Sequence, residues 1–220
     1  MMPSSALIRT ALFDAWAVIM PVTCAGCGAA DRALCESCRP QLTPHVVVHS
    51  LTDGTPISTA LGYDGEVRSM ILALKERGRT DIAHALAAPL RAAVLAAVHG
   101  QVELIPVPSS RAAYRRRGYD PVALVLTRAR LPSAHGVLAF TRKPSHQKTL
   151  NRQSRARNLA GLLEAKHPLI DRRFVMVDDV FTTGATLTET ARAIRAGGGE
   201  VIGGAALAYT ERRTPLLTSF

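Results

Sequence analysis

The chain has 220 residues and a formal charge of +10, with 47% hydrophobic and only 5% aromatic residues. That length suits one α/β domain plus a small appendage, with a core of small aliphatic side chains. No segment reaches the ~18 unbroken apolar residues of a membrane helix, and the basic excess favours phosphates or nucleic acid as partners. The apolar run Ala11–Val22 is interrupted by Asp14 and preceded only by Arg9, so it does not read as an export signal, and the protein reads as cytosolic.

Four regions follow in order: an N-terminal helix region (1–22), a cysteine-bearing segment (23–41), a main domain (42–210) and a tail (211–220). Residues 6–20 read as an amphipathic helix with Leu7, Ile8, Ala11, Leu12, Ala15 and Ile19 on one side, ended by Pro21. It carries little basic character, so packing against the rest of the chain is expected rather than a membrane surface. All four cysteines come next, as Cys24-x-x-Cys27 and Cys35-x-x-Cys38. Two such hooks set four thiolates for one tetrahedral ion, with Zn²⁺ the usual occupant. Disulfides and an iron–sulfur cluster are the alternatives. Four protein ligands leave no open position, so the expected role is structural.

Residues 41–56 read as a connection with a strand at Val46–His49, and Ser58–Tyr63 as another strand. Val67, Met70, Ile71 and Leu74 mark a helix ending near Gly78. Lys75 and Arg77 stand at its C-terminal end, where the dipole favours cations and where a phosphate contact is the sharper reading. Asp81 is expected to cap a second helix through Val98, kinked or restarted at Pro89. Val102–Val107 is the next strand, running into the loop Ser109-Ser110-Arg111, the basic turn Arg115-Arg116-Arg117 and a helix from about Pro121 to Arg130. Residues 136–141 suggest a further strand. Between Leu104 and Asn158 there are twelve Lys or Arg and a single acid, Asp120. The stretch Arg142–Asn158 fits a basic flap over a phosphate or a nucleic-acid groove, although aromatics for base stacking are scarce.

The most informative stretch is Phe174 to Thr186. Phe174–Val177 reads as a short buried strand, followed by the acidic pair Asp178 and Asp179 and the hydroxyl-rich turn Thr182-Thr183-Gly184-Ala185-Thr186. A helix follows, stopped by Gly197-Gly198-Gly199. A helix N-terminus suits a phosphate, Gly184 admits close approach, and two carboxylates accept hydrogen bonds from vicinal hydroxyls. The arrangement reads as a site for a sugar bearing a 5′-phosphate. The plainer alternative is a strand-turn-helix in which Asp179 or Thr182 caps the helix. The last strand is expected at Val201–Leu207.

This stretch resembles the binding signature for phosphoribosyl pyrophosphate (PRPP) in type I phosphoribosyltransferases. The layout over about residues 12–210 resembles the ComF family, on the four cysteines, the LALKERGR stretch holding Lys75, the IPVPSS-to-RRRGY segment, Gln147, Leu150, Arg157-Asn158 and the Asp178–Thr186 signature. It departs at Asp120-Pro121, where the family often has Asn-Gln, and at Pro144.

The resemblance implies an α/β fold: a type I phosphoribosyltransferase-like parallel sheet flanked by helices, with a small N-terminal four-cysteine zinc ribbon. It implies that Asp178 and Asp179 bind the ribose and serve catalysis, and that Thr182, Thr183, Gly184, Ala185 and Thr186 hold the 5′-phosphate. Mg²⁺ would arrive with the pyrophosphate. Ser109, Ser110, Arg111, Lys75, Arg142 and Lys143 are then candidates for the pyrophosphate side. Arg115, Arg116, Arg117, Arg155 and Arg157 are candidates for nucleic acid. Two functions are implied: phosphoribosyl transfer to an unknown acceptor, linked to DNA uptake or nucleotide metabolism, or a non-catalytic, PRPP-responsive protein binding single-stranded DNA.

Overall fold

The computed structural model describes residues 22–30, 32–141 and 161–210. The expected N-terminal helix, the tail and the basic stretch holding Arg142, Lys143, Arg155 and Arg157 lie outside these.

The main sheet has five strands, β1 (Val47–Ser50), β2 (Pro56–Gly62), β3 (Glu103–Pro106), β6 (Arg173–Phe181) and β7 (Glu200–Tyr209), in the order β1-β2-β7-β6-β3. Only β1 is antiparallel to its neighbour; the other four run parallel. The helices are α1 (Gly65–Glu76), α2 (Ala83–Ala97), α3 (Arg111–Arg117), α4 (Pro121–Arg128) and α5 (Ala185–Ala196). A small hairpin, β4 (Leu138–Phe140) with β5 (Leu163–Ala165), stands apart from the main sheet.

Strand β6 shows how the sequence builds the layers. Phe174, Val175, Met176 and Val177 are all buried, as a central parallel strand covered on both faces requires. Side chains alternate across a strand, so Val175 and Val177 join the core beneath α1, α2 and α4, while Phe174 and Met176 join the core beneath α5 and the hairpin. Small residues in β7 let its neighbours close in; a Cβ on Gly204 would lie 2.7 Å from Ile57 Cδ1.

Four expectations are corrected. β6 does not end at Val177 but continues through the acidic pair to Phe181, because β7 pairs with it as far as Tyr209. Asp81 does not cap α2; it lies in a 3-10 turn (Thr80–Ile82), where Arg79 donates to it, and α2 runs unbroken through Pro89. Residues 111–117 form the helix α3 rather than a loop, capped by the Ser110 hydroxyl, which accepts from Ala113 N–H at 3.2 Å. Strand β5 had no expectation. Among the described residues no helix is long and apolar enough to cross a membrane.

Candidate functional site

Parallel strands present their carboxyl ends, and the loops that follow them, to one edge of the sheet, where ligands collect. Here that edge opens into a cleft of about 410 Å³. Its floor is the end of β6. Asp178 Oδ1 accepts from the backbone N–H of Asp179 at 2.8 Å, and Asp179 Oδ2 accepts a salt bridge from Lys75 Nζ at 2.7 Å. Lys75 stands in the last turn of α1. Burial, and next the neighbouring Asp179 charge, push the Asp178 carboxyl up to about 7. Burial alone would lower the Lys75 ammonium, but the Asp179 and Asp178 carboxylates outweigh it and raise its pKa. Near neutral pH the floor thus holds a lysine cation, a paired carboxylate and a second carboxyl within reach of protonation.

One wall is the turn between β6 and α5. Gly184 is the N-cap of α5 with φ +74°, a conformation that side chains other than glycine's adopt at a cost. A Cβ there would also lie 2.7 Å from Leu51 Cδ2 and 3.0 Å from Phe181 Cε2. Gly184 has no side chain to cap α5, and neither Asp179 nor Thr182 takes its first N–H groups, so those that the neighbouring Thr183 leaves free are open to a ligand. Thr183 Oγ1 accepts from Ala185 N–H at 3.3 Å. Thr182 and Thr186 line the cleft, whereas Thr183 lies against a separate cavity beside β1.

The opposite wall comes from the loop after β3 and from α3. Ser109 lines the cleft and its hydroxyl accepts from Arg117 Nη2 at 3.1 Å. Ser110 is occupied as the cap of α3, and Arg111 is exposed. Two bonds dock this segment on the end of α1: Arg116 Nη2 donates to Glu76 at 3.2 Å, and the Tyr119 hydroxyl donates to the Leu74 carbonyl. They turn Arg117 inward, where its Nε is buried and unpartnered. Arg115 remains exposed. Asp120-Pro121 starts α4, with Asp120 accepting from Ala123 N–H at 2.9 Å and Pro121 at the first helical position.

Sequence reasoning missed one cleft residue and gave another a different role. Tyr63 follows β2, and the carboxyl-end rule finds it once β2 is seen to adjoin β7. In the sequence Arg117 belongs to one basic run with Arg115 and Arg116, a candidate for nucleic acid; only the docking of α3 separates it from them.

The four cysteines form a second centre. Their sulfurs all lie within 4.8 Å of one another, with Cys27 and Cys35 Sγ 3.6 Å apart, and none is in a disulfide. A tetrahedral ion with ~2.3 Å metal–sulfur bonds sets ligand sulfurs just under ~4 Å apart, so the donor set fits a metal ion. The Cys35 backbone N–H donates to Cys24 Sγ at 3.4 Å, a bond that favours a thiolate. Gly28 has φ +81°, while Gly26 is required by proximity: a Cβ would lie 2.8 Å from Met70 Cε and 2.9 Å from Cys38 Sγ. The cluster is therefore seated on α1, and Cys24, Cys38 and Met70 share one core.

The sequence profile of the phosphoribosyl transferase domain matches residues 115–217. The chain is 28% identical to the DNA utilization protein YhgH of Escherichia coli O6:H1 (strain CFT073) over 195 residues, covering 81% of this chain and 85% of that one. It is 31% identical to competence protein F of Haemophilus influenzae (strain Rd) over 106 residues, 45% of this chain and 46% of that one. Among solved structures, Leishmania donovani UMP synthase aligns with a TM-score of 0.35 at 17% identity, over 78% of this chain and 30% of that one. A four-cysteine cluster thus stands ahead of a phosphoribosyl transferase domain in a chain homologous to YhgH and competence protein F.

Proposed function

We propose that this protein binds PRPP together with Mg²⁺ in the acidic cleft and transfers its 5-phosphoribosyl group to an acceptor. The observation that carries the reading is the convergence on one cleft of Asp178, Asp179, Thr182 and Thr186 from the turn after β6, and the cations Lys75 and Arg117. The two carboxylates accept from the ribose 2′- and 3′-hydroxyls. The Thr182 and Thr186 hydroxyls and the first N–H groups of α5 hold the 5′-phosphate. Lys75, Ser109 and the unpartnered Arg117 Nε face the pyrophosphate.

The cleft suits the reaction electrostatically. As pyrophosphate leaves the anomeric carbon, positive charge develops on the ribose and negative charge on the departing group. Ionised Asp178 and Asp179 stabilise the first, and Lys75 and Arg117 the second. Asp178 and Asp179 are the carboxylates at hand for Mg²⁺ arriving with the pyrophosphate, and the bound ion would supply charge neutralisation of the leaving group. The cysteine cluster is assigned Zn²⁺ in a structural role, and the free thiols agree with a cytoplasmic location.

A second reading is a PRPP-responsive protein that binds single-stranded DNA, favoured by Arg111 and Arg115, which are exposed and without an ion-pair partner among the described residues. The deciding experiment is calorimetric titration of the zinc-loaded protein with PRPP and Mg²⁺, beside an Asp178→Asn/Asp179→Asn double variant. Binding that the double variant loses supports the PRPP site, and acceptor-dependent pyrophosphate release then separates enzyme from sensor. No binding by the parent overturns both readings of the cleft.

A further inference from the structure

The four cysteines are not equivalent. Cys24 and Cys38 are buried, at 3% and 2% exposure, and share a core with Met70 of α1. Cys27 is exposed and Cys35 partly so, and their sulfurs lie 3.6 Å apart. The cluster thus has an inner pair that seats it on the domain and an outer pair that faces solvent. Polar contacts follow the same division. Cys24 N–H donates to the Ala29 carbonyl at 2.7 Å and Ala25 N–H to the Ala33 carbonyl at 2.9 Å, which ties the inner end of the first hook in place. At the outer end, the Ser37 hydroxyl stands 3.1 Å from Cys35 Sγ and donates to it when that sulfur is ionised.

We infer that Cys27 and Cys35 are a site of reversible oxidation by a small peroxide, which joins them in a disulfide and releases the metal ion. The Cys27 thiolate attacks one peroxide oxygen, the O–O bond breaks, and hydroxide leaves a sulfenic acid behind. The Cys35 thiolate then attacks the Cys27 sulfur and displaces a second hydroxide. Two protons from solvent turn both hydroxides into water. Each sulfur gives up one electron, and the two electrons reduce the peroxide.

The geometry favours this pair over the others. Solvent reaches Cys27 but not Cys24 or Cys38. The outer sulfurs must close from 3.6 Å to about 2.05 Å, and residues 28–30 and 32, on the chain between them, are exposed and free of core packing. A disulfide there leaves only Cys24 and Cys38 as ligands, too few for a closed tetrahedral site, so the ion departs. A thiol reductant reverses the bond, and added zinc rebuilds the cluster. A matching change in PRPP affinity, carried along α1 to Lys75, rests on the proposed function; the oxidation does not.

The test treats the full-length, zinc-loaded protein with a slight excess of hydrogen peroxide and no PRPP, so its outcome is independent of the acidic cleft. Zinc release is followed with a chromogenic chelator, and the cysteines are mapped by differential alkylation and peptide mass spectrometry. About one zinc per chain is expected to leave, in step with a Cys27–Cys35 disulfide, while Cys24 and Cys38 stay as thiols. Reductant with added zinc is expected to restore the metal. Cys27→His keeps a fourth ligand, as in Cys₃His sites, but cannot form the disulfide, and it is expected to release zinc roughly tenfold more slowly. If that variant does not hold zinc, the pairing mapped in the parent decides alone. A first disulfide between any other two cysteines, zinc retained with all thiols unmodified, or equally fast release from zinc-loaded Cys27→His overturns the inference.

Discussion

Lys75 Nζ lies 2.7 Å from Asp179 Oδ2, joining the last turn of α1 to the end of β6. Asp179 keeps 16% side-chain exposure and Lys75 32%, so the pair is partly screened by solvent. Lys75→Met should therefore cost only about 1 kcal/mol of stability, read from a denaturant curve. Its effect on ligand should be larger, because the lysine is a cation on the side of the cleft that the proposed binding mode gives to the pyrophosphate. PRPP affinity is expected to fall about tenfold or more in calorimetric titration. Unchanged affinity would remove Lys75 from the site.

Asp178 provides a pH signature. Its folded-state pKa is raised to about 7, well above the ordinary carboxylate range, by burial and next by Asp179. A raised acid contributes stability that is fully present below pH ~4 and is lost as pH rises through about 7, because over that window the unfolded chain gives up a proton that the folded chain keeps. Asp178→Asn retains an oxygen for the Asp179 N–H and removes the charge. The variant should match the parent near pH 4 and exceed it by about 1–2 kcal/mol at pH 8, measured by denaturation across the range. Ribose hydroxyls favour the ionised carboxylate, so PRPP affinity of the parent should rise with pH up to about 7 and then level.

Much of this site is legible in the sequence for a local reason. An apolar run such as Phe174–Val177 is what a central parallel strand must look like, and the Asp pair and Gly184 follow it at fixed spacing. What escapes is set by distant partners. Asp178 and Asp179 look like loop residues, yet stay in β6 because β7 pairs beyond them. Helix α3 buries no residue and so shows no apolar stripe; its position comes from the bonds of Arg116 and Tyr119 to α1. β5 is three residues long, and Leu163 within it is held by Glu189, which accepts its N–H at 2.9 Å, and by Arg192, which donates to its carbonyl at 2.6 Å. No pattern within β5 announces that clamp.

The turn between β6 and α5 makes a steric prediction. Gly184→Ala would place a methyl group 2.7 Å from Leu51 Cδ2 at φ +74°. The backbone strain alone costs about 1–2 kcal/mol, and relief requires the turn to move away from β1 and Phe181. The variant should lose that stability in a denaturant titration and also lose PRPP binding, whereas Thr183→Ser, which keeps the hydroxyl that accepts from Ala185, should retain both. Full affinity in Gly184→Ala would show that the turn does not hold the 5′-phosphate.

Helix α1 connects the two centres, and the connection can be tested. At its N-terminal half, Met70 and Glu66 pack against Gly26 in the first cysteine hook; in its last turn, Lys75 reaches Asp179. Nine residue steps of helix, about 13.5 Å, separate Glu66 from Lys75. Losing the metal would leave the cysteines, two of them buried, without their cross-link, and α1 would lose the body it rests on. Chelation is thus expected to lower thermal stability and to weaken PRPP binding several-fold, although no cysteine touches the acidic cleft. Gly26→Ala gives the same test without a chelator, since its Cβ would crowd Cys38 Sγ and Met70. It should retain less than one zinc per chain by elemental analysis and show a matching loss of PRPP affinity. A variant with little bound metal but full affinity would show that α1 holds Lys75 in place unaided.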